Sequence, residues 1–245
     1  MKGIDISAYQ SNLDFSKINC EVVFIKATEG LTYTNPYLKL HYAKAKAKGL
    51  KVGFYHFQRS NNPIDEAKHF LNAIDGLQSD CKYVIDIETD PVSASYRVKQ
   101  FADYLKSKGK EPCIYTGLYF YNDILDRTVK DLPLWVAAYT KTRPIIRSVG
   151  WQYSDKETIG GVTVDHNVFD TGILLTPKVA AKPTLKTGTV TATILNVRAD
   201  AGTGFKIIGT LKKGDKVTIA KAIGPNWYSI YFGDHGGYVS SEFIK

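Results

Sequence analysis

An α/β fold, an irregular TIM-like (β/α) barrel followed by a second, small all-β domain, is what this 245-residue sequence predicts. Three observations carry that expectation. Eight strand-like apolar runs recur over the first two-thirds of the chain, and helical patterns separate the earlier ones. The stretch TPKVAAKPTLK at 176–186 then breaks the pattern with two prolines, three lysines and no aromatic residue. Beyond it the texture changes to short β-rich runs punctuated by glycine.

In order, the strands of the first region are expected at 3–7, 22–28, 51–57, 82–88, 112–117, 134–139, 150–154 and, more briefly, 162–165. A first helix is expected over 35–48, ended by Gly49, and a second opens at Asn62-Pro63 and runs to about 75. A third spans about 93–108 before Gly109. Strand and helix alternating at these distances imply βαβ units and a mainly parallel sheet closed on itself. Helical patterns fade after Trp135, so loops should join the last strands and the barrel should be irregular. In the second region, runs at 190–198, 207–211, 216–220, 227–232 and 237–239 are separated by Gly202, Gly204, Gly214-Asp215, Gly224-Pro225 and Gly233-Asp234. Five short strands make a small barrel. The expected organisation is therefore a barrel over 1–175, a linker over 176–187 and a small domain over 188–245.

Composition narrows the function. Apolar residues make up 44% of the chain, and no run approaches the roughly 20 consecutive apolar residues of a membrane helix. The opening Met1-Lys2-Gly3-Ile4-Asp5-Ile6-Ser7 has neither the apolar core nor the cleavage site of a signal peptide, so synthesis in a cytoplasm is expected. Cys20, Cys81 and Cys113 lack metal-ligand spacing and read as reduced core residues; no metal and no cofactor is expected. The net charge is +8, of which the chain from Thr176 onward carries +6. That excess suits an anionic polymer, or simply a solvated surface. No recognition helix or RNA-binding signature accompanies the lysines, so nucleic acid is a poor partner.

The chemistry is concentrated in Tyr83-Val84-Ile85-Asp86-Ile87-Glu88. Alternation puts Asp86 and Glu88 on one face of a strand that is otherwise apolar and β-branched. The pair reads either as a solvated strand end before Thr89-Asp90-Pro91 or as two crowded acids, one kept protonated near neutral pH as glycosidic cleavage requires. Asp5 in the first strand and Asp165 in the last fall where a barrel brings strand ends to one mouth. Each alone reads equally as a loop or cap acid. Tyr55, Tyr115, Trp135, Tyr139 and Trp151 lie in or beside strands and suit either barrel filling or stacking against sugar rings. Lys26 and Glu29 can pair near the end of the second strand, and Gln152 can donate to a sugar hydroxyl. His56 reads as a satisfied core histidine and His166 as a loop residue.

Seven segments together resemble a known family: GIDIS with Tyr9-Gln10, FIKATEG from Phe24, GFYHF from Gly53, Asp86-Ile87-Glu88, LWVAAY from Leu134, WQYS from Trp151 and VDHNVF from Val164. They are similar, in order and over about residues 1–172, to the glycoside hydrolase family 25 lysozymes, N-acetylmuramidases of bacteria and their phages. The resemblance implies an irregular barrel that cleaves the β-1,4 bond from N-acetylmuramic acid to N-acetylglucosamine in peptidoglycan, without metal. It makes Glu88 the general acid and gives Asp86 the substrate's 2-acetamido group or the charge developing at the anomeric carbon, with Asp5 and Asp165 completing an acidic floor. It also suggests retention of configuration assisted by the acetamido group, and favours Tyr55, Tyr115 and Tyr139 as cleft residues. The tail, through Leu195-Asn196-Val197-Arg198, Ile208 to Gly214, Trp227-Tyr228 and Gly237 to Ser240, resembles the bacterial SH3 domain, whose members hold enzymes on cell walls. Trp227, Tyr228, Tyr231 and Tyr238 are then expected to include wall-binding residues, for anionic polymer or wall peptide. A phage or prophage endolysin that waits in the cytoplasm and reaches the wall after holin-type release is the expected context. A bacterial autolysin and a non-catalytic wall-binding protein are its rivals.

Overall fold

The computed structural model describes residues 1–176 and 186–245. Backbone contacts divide the chain into two compact units, the first ending at Thr176. Most of the expected linker lies outside the described residues.

The first unit contains β1 (Lys2–Ile6), β2 (Val22–Glu29), β3 (Tyr33–Thr34), α1 (Leu38–Ala47), β4 (Lys51–Phe57), α2 (Pro63–Ala73), β5 (Tyr83–Asp86), α3 (Ala94–Ser107), β6 (Pro112–Gly117), β7 (Leu134–Ala137), β8 (Gly150–Ile159) and β9 (Val162–Phe169). The strands pair in the order β1-β9-β8-β7-β6-β5-β4-β2, and β2 pairs back onto β1, which closes an eight-stranded barrel. The run from β1 through β2 and β4 to β8 is parallel. β9 is antiparallel to both its neighbours. The reason is local: only Gly160 and Gly161, both at positive φ, join β8 to β9. Two such glycines fit a hairpin turn, whereas a parallel crossover needs a dozen residues or more.

The helices form where their signals predict. The Asn62 side chain accepts from the backbone N–H groups of Ile64 and Asp65, and Pro63 occupies the first turn of α2. Gly49 and Gly109 follow α1 and α3 at φ +78° and +68°. Apolar residues between the helices and the outer strand faces form one core, including Ile25, Val52, Phe70, Ile85, Phe101 and Ile114. A second, inside the barrel, holds Val22, Phe24, Cys81, Val84, Cys113, Tyr115, Trp135, Phe169 and Ile173.

The inner face of the barrel changes character within one pleat. Gly3, Phe24, Gly53, Val84, Cys113 and Gly150 make its lower layer; two residues further along the same six strands stand Asp5, Lys26, Tyr55, Asp86, Tyr115 and Gln152. Glycine is required below because the rings of Phe24 and Phe169 fill the lumen. A Cβ on Gly53 would lie 2.2 Å from the Phe24 ring, and one on Gly150 would lie 2.7 Å from that of Phe169. An aromatic plug thus floors a polar layer.

Five expectations need correction. β3 and the length of the β8–β9 hairpin exceed what short apolar runs suggest, and His166 lies in β9 instead of a loop. Cys81 and Cys113 are buried free thiols, but Cys20 is only partly buried. Among the described residues the second unit has six strands: β10 (Lys186–Thr189), β11 (Ile194–Arg198), β12 (Ile207–Lys212), β13 (Lys216–Ile223), β14 (Trp227–Ile230) and β15 (Gly237–Ser240). They are ordered β10-β13-β14-β15-β11-β12 around Val190, Leu195, Val197, Val217, Ile230 and Val239. β10, Lys-Thr-Gly-Thr, has no apolar residue to announce it. Its Gly188 lies so close to Ile244 that an added Cβ would fall 2.1 Å from that side chain.

Candidate active site

A cleft of about 220 Å³ opens over the polar layer, lined by Asp5, Lys26, Tyr55, Asp86, Glu88, Tyr115 and Asp165 among others. The four acids singled out from the sequence therefore share one cavity. Asp86 ends β5 and is 4% exposed. Glu88 stands just beyond the strand end and is exposed to the cleft. Asp5 and Asp165 are directly opposite each other on the antiparallel β1–β9 pair.

Burial pushes the carboxyls of all four above their ordinary range. For Asp5 the next cause is the charge of Asp165, and for Asp86 it is the charge of Glu88. For Glu88, after burial, the Lys26 ammonium pulls the carboxyl down while Asp165 pushes it up. The cleft thus contains carboxyls biased towards holding a proton, of which Glu88 is the accessible one. Among the described residues, Asp86 Oδ1 is buried without a hydrogen-bond partner. A buried acceptor left unpaired is costly, which adds to the preference of this carboxyl for holding a proton.

Asp5 is held by a side-chain network. The Trp135 indole donates to Asn167 Oδ1 at 2.9 Å, so the Asn167 amide nitrogen faces Asp5 Oδ2, at 2.8 Å. Tyr115 and Tyr139 hydroxyls donate to Gln152 Oε1 at 2.8 and 3.0 Å, and Gln152 Nε2 donates to the same Asp5 oxygen at 3.0 Å. The donor-only Trp135 indole fixes the Asn167 amide, and the Asp5 oxygen that accepts from both amide nitrogens fixes Gln152. The sequence reading missed Asn167. Its signal was available: it is the inward position two residues after Asp165 in Val164-Asp165-His166-Asn167.

The loop that follows Glu88 is tightly held. Asp90 and Ser93 both have φ +55°, and Arg97 on α3 donates to the backbone carbonyls of Asp90 and Val92. Only firm anchoring holds non-glycine residues there.

The aromatic expectations divide. Tyr55 and Tyr115 line the cleft, and Tyr139 stands at 58% exposure with its hydroxyl tied to Gln152. Trp135 reaches the cleft only from beneath: it is 1% exposed and packed on Phe24, Tyr115 and Phe169. Trp151 sits one residue from Gln152 and so on the opposite face, packed against the outer core with its indole donating to Ala138. Gln152 is 1% exposed and committed to Asp5 and two tyrosines, so it positions the floor instead of meeting a sugar. Tyr9, on a turn stapled by the Ser7–Gln10 capping box, is a lining residue that the sequence reading did not single out; it is 92% exposed. His56 is the satisfied core histidine expected, between Thr28 and Glu66.

In the second unit, Trp227 and Tyr228 line a groove with Ile194, Asn196, Arg198 and Phe243. Tyr231 is exposed outside it, and Tyr238 is half-buried on β15 beside Arg198 of β11.

Comparison with known proteins places this architecture. Residues 193–245 match the bacterial SH3 domain. The autolytic lysozyme of Clostridium acetobutylicum is 47% identical over 196 residues, which is 75% of this chain; the match spans 60% of that relative's length. A muramidase from Trichobolus zukalii superposes with a TM-score of 0.60 at 28% identity, covering 69% of this chain and 93% of that one. A family 25 glycosyl hydrolase from Bacillus anthracis superposes at 0.62 with 22% identity, over 69% and 88% of the two chains, and shares the fold. With residues 4–162 matching glycosyl hydrolases family 25 as well, the chain belongs to that family.

Proposed function

We propose that this protein is a lysozyme of the N-acetylmuramidase type, cleaving the β-1,4 bond between N-acetylmuramic acid and N-acetylglucosamine in peptidoglycan. The observation that carries the reading is the convergence of Asp5, Asp86, Glu88 and Asp165 on one cleft in which burial and mutual repulsion raise their carboxyls. Glu88, accessible and protonated, gives its proton to the glycosidic oxygen as the bond from the anomeric carbon breaks. Asp86, which lines the cleft, accepts the N–H of the 2-acetamido group, whose carbonyl oxygen attacks the anomeric carbon from the opposite face. Water then opens that intermediate, returning a proton to Glu88, and configuration is retained. Asp5 and Asp165, opposed and sharing a proton, leave one negative charge in the floor where positive charge develops. Tyr55, Tyr115 and the exposed Tyr139 supply ring faces for the sugars.

The small domain is the wall anchor in this reading. Its groove joins the Trp227 and Tyr228 rings to the Arg198 cation, a combination suited to wall peptide or an anionic wall polymer. Removal of residues 177–245 is expected to weaken binding to whole walls and leave cleavage of soluble muropeptides nearly unchanged. We place the protein at the cell wall as an endolysin that crosses the membrane after holin-type release. The identity to an autolytic lysozyme favours a second reading, a bacterial autolysin with the same chemistry. Its gene neighbourhood separates the two.

The test is product analysis. Peptidoglycan digested by the wild type and reduced with borohydride should give reduced N-acetylmuramic acid, and Glu88→Gln should give none. Reduced N-acetylglucosamine, cut peptides or an active variant overturns the assignment. Proton NMR of early product should show the retained anomer.

A further inference from the structure

Among the described residues that line the acidic cleft, Lys26 is the one cation. Its inward position on β2, two residues after Phe24, is fixed by the pleat, and its side chain is only 14% exposed. The ammonium lies 4.7 Å from the centre of the Phe57 ring and 5.6 Å from that of Tyr33. It donates to Glu29 Oε2 at 2.6 Å. The other oxygen of Glu29 accepts from Arg59, Nε at 2.9 Å and Nη2 at 2.6 Å, and that guanidinium also lies 4.7 Å from the Phe57 ring centre. A cation facing four acids would be expected to bond one of them. Instead it is drawn aside by a fifth acid, which a second cation partly neutralises.

We propose that Lys26 is a positioning residue for the Asp86–Glu88 pair: metered by Glu29 and Arg59, its charge sets the pH range in which the cleft works. The inference rests on the assignment of Glu88 as the acid. Burial lifts both carboxyls, and Lys26 acts against that lift on each, while Glu29 adds to it at Asp86. The other groups facing the pair are Asp5 from β1, Asp165 from β9 with Asp155 behind it, Tyr55 from β4, Tyr115 from β6 and Tyr139 after β7. None of these is cationic, so the sign of the field at the pair is adjusted from the Lys26 side.

Opposite shifts from two neighbouring variants test the proposal. Lys26→Met keeps the packed stem and removes the charge; both limbs of the kcat/KM profile should move to higher pH, raising the ratio of rates at about pH 8 and pH 6 by about two- to fivefold. Glu29→Gln leaves Lys26 unneutralised, so the limbs should move to lower pH by a similar factor. Lys26→Arg should restore a near-wild-type profile. Unmoved limbs with a lowered kcat in both variants would make the pair merely structural and overturn the proposal. A raised KM with an unmoved profile would make Lys26 a substrate contact and overturn it equally. Glu88→Gln separates the two layers of argument: if it stays active, the assignment of the acid fails, whereas an inactive Glu88→Gln beside unmoved profiles defeats only the role of Lys26.

Discussion

Glu66 bonds His56 of β4 and Asp86 ends β5, which pairs with β4; both are almost wholly buried, at 0% and 4% exposure. Their surroundings differ completely. Glu66 accepts from His56 Nε2 at 2.7 Å, the backbone of Arg59 at 3.0 Å, and the backbone and side chain of Asn61 at 3.2 and 2.9 Å. Burial alone would raise its carboxyl, but these donors hold it below the ordinary range, and burial holds the His56 imidazole below its own. Glu66 is therefore ionised beside a neutral His56 that accepts from Thr28 on its other nitrogen. Asp86 meets no donor at Oδ1 and faces Glu88. One buried carboxyl is satisfied and stabilises the fold; the other is crowded and underbonded, as the proposed chemistry requires. The number of donors around each acid, more than its burial, divides structure from chemistry.

Four substitutions would break or sharpen that contrast, from the largest expected effect downward. Glu88→Gln should lower kcat on peptidoglycan by about 10³-fold, the scale of a lost general acid, with no loss of thermal stability. Asp86→Asn should cost about 10²-fold in kcat while raising the melting temperature at neutral pH. The sign follows from its raised carboxyl: stability is fully present below the ordinary carboxylate range and is lost as pH rises through the folded value, so the gain from Asn should vanish in acid. Glu66→Gln should do the reverse, costing about 3 kcal/mol of stability and leaving kcat of the folded enzyme within about twofold. Because the Glu66 carboxyl is lowered, its contribution is present above the ordinary range and lost as pH falls through the folded value. Urea unfolding at several pH values checks both signs. Gln152→Leu, which takes one donor from Asp5 and an acceptor from two tyrosines, should lower kcat about tenfold.

The barrel was legible because its signal is periodic. Alternation along Gly3-Ile4-Asp5, Phe24-Ile25-Lys26 and Val84-Ile85-Asp86 states which residues face inward, and the inward ones included the acids. What alternation leaves open is depth: it puts Trp135 on the inner face but does not say that Phe24 and Phe169 would close over it. It also fails where no apolar residue marks a strand, as in β10, or where a strand is two residues long, as in β3. Gln152 and Asn167 were misread or missed because their roles depend on partners more than a hundred residues away in sequence, at Asp5. Glu66 gave no sign of its cage, since a glutamate in the first turn of a helix has an ordinary reason to be there.

The contrast between the caged Glu66 and the acids of the cleft is read most directly by carbon-13 NMR titration of the side-chain carboxyls, with Glu88→Gln and Glu66→Gln used to assign the resonances. The account predicts that Glu88 titrates above the ordinary glutamate range and Glu66 below it in the same folded protein. Coincident titration of the two, or Glu66 titrating above Glu88, would contradict it.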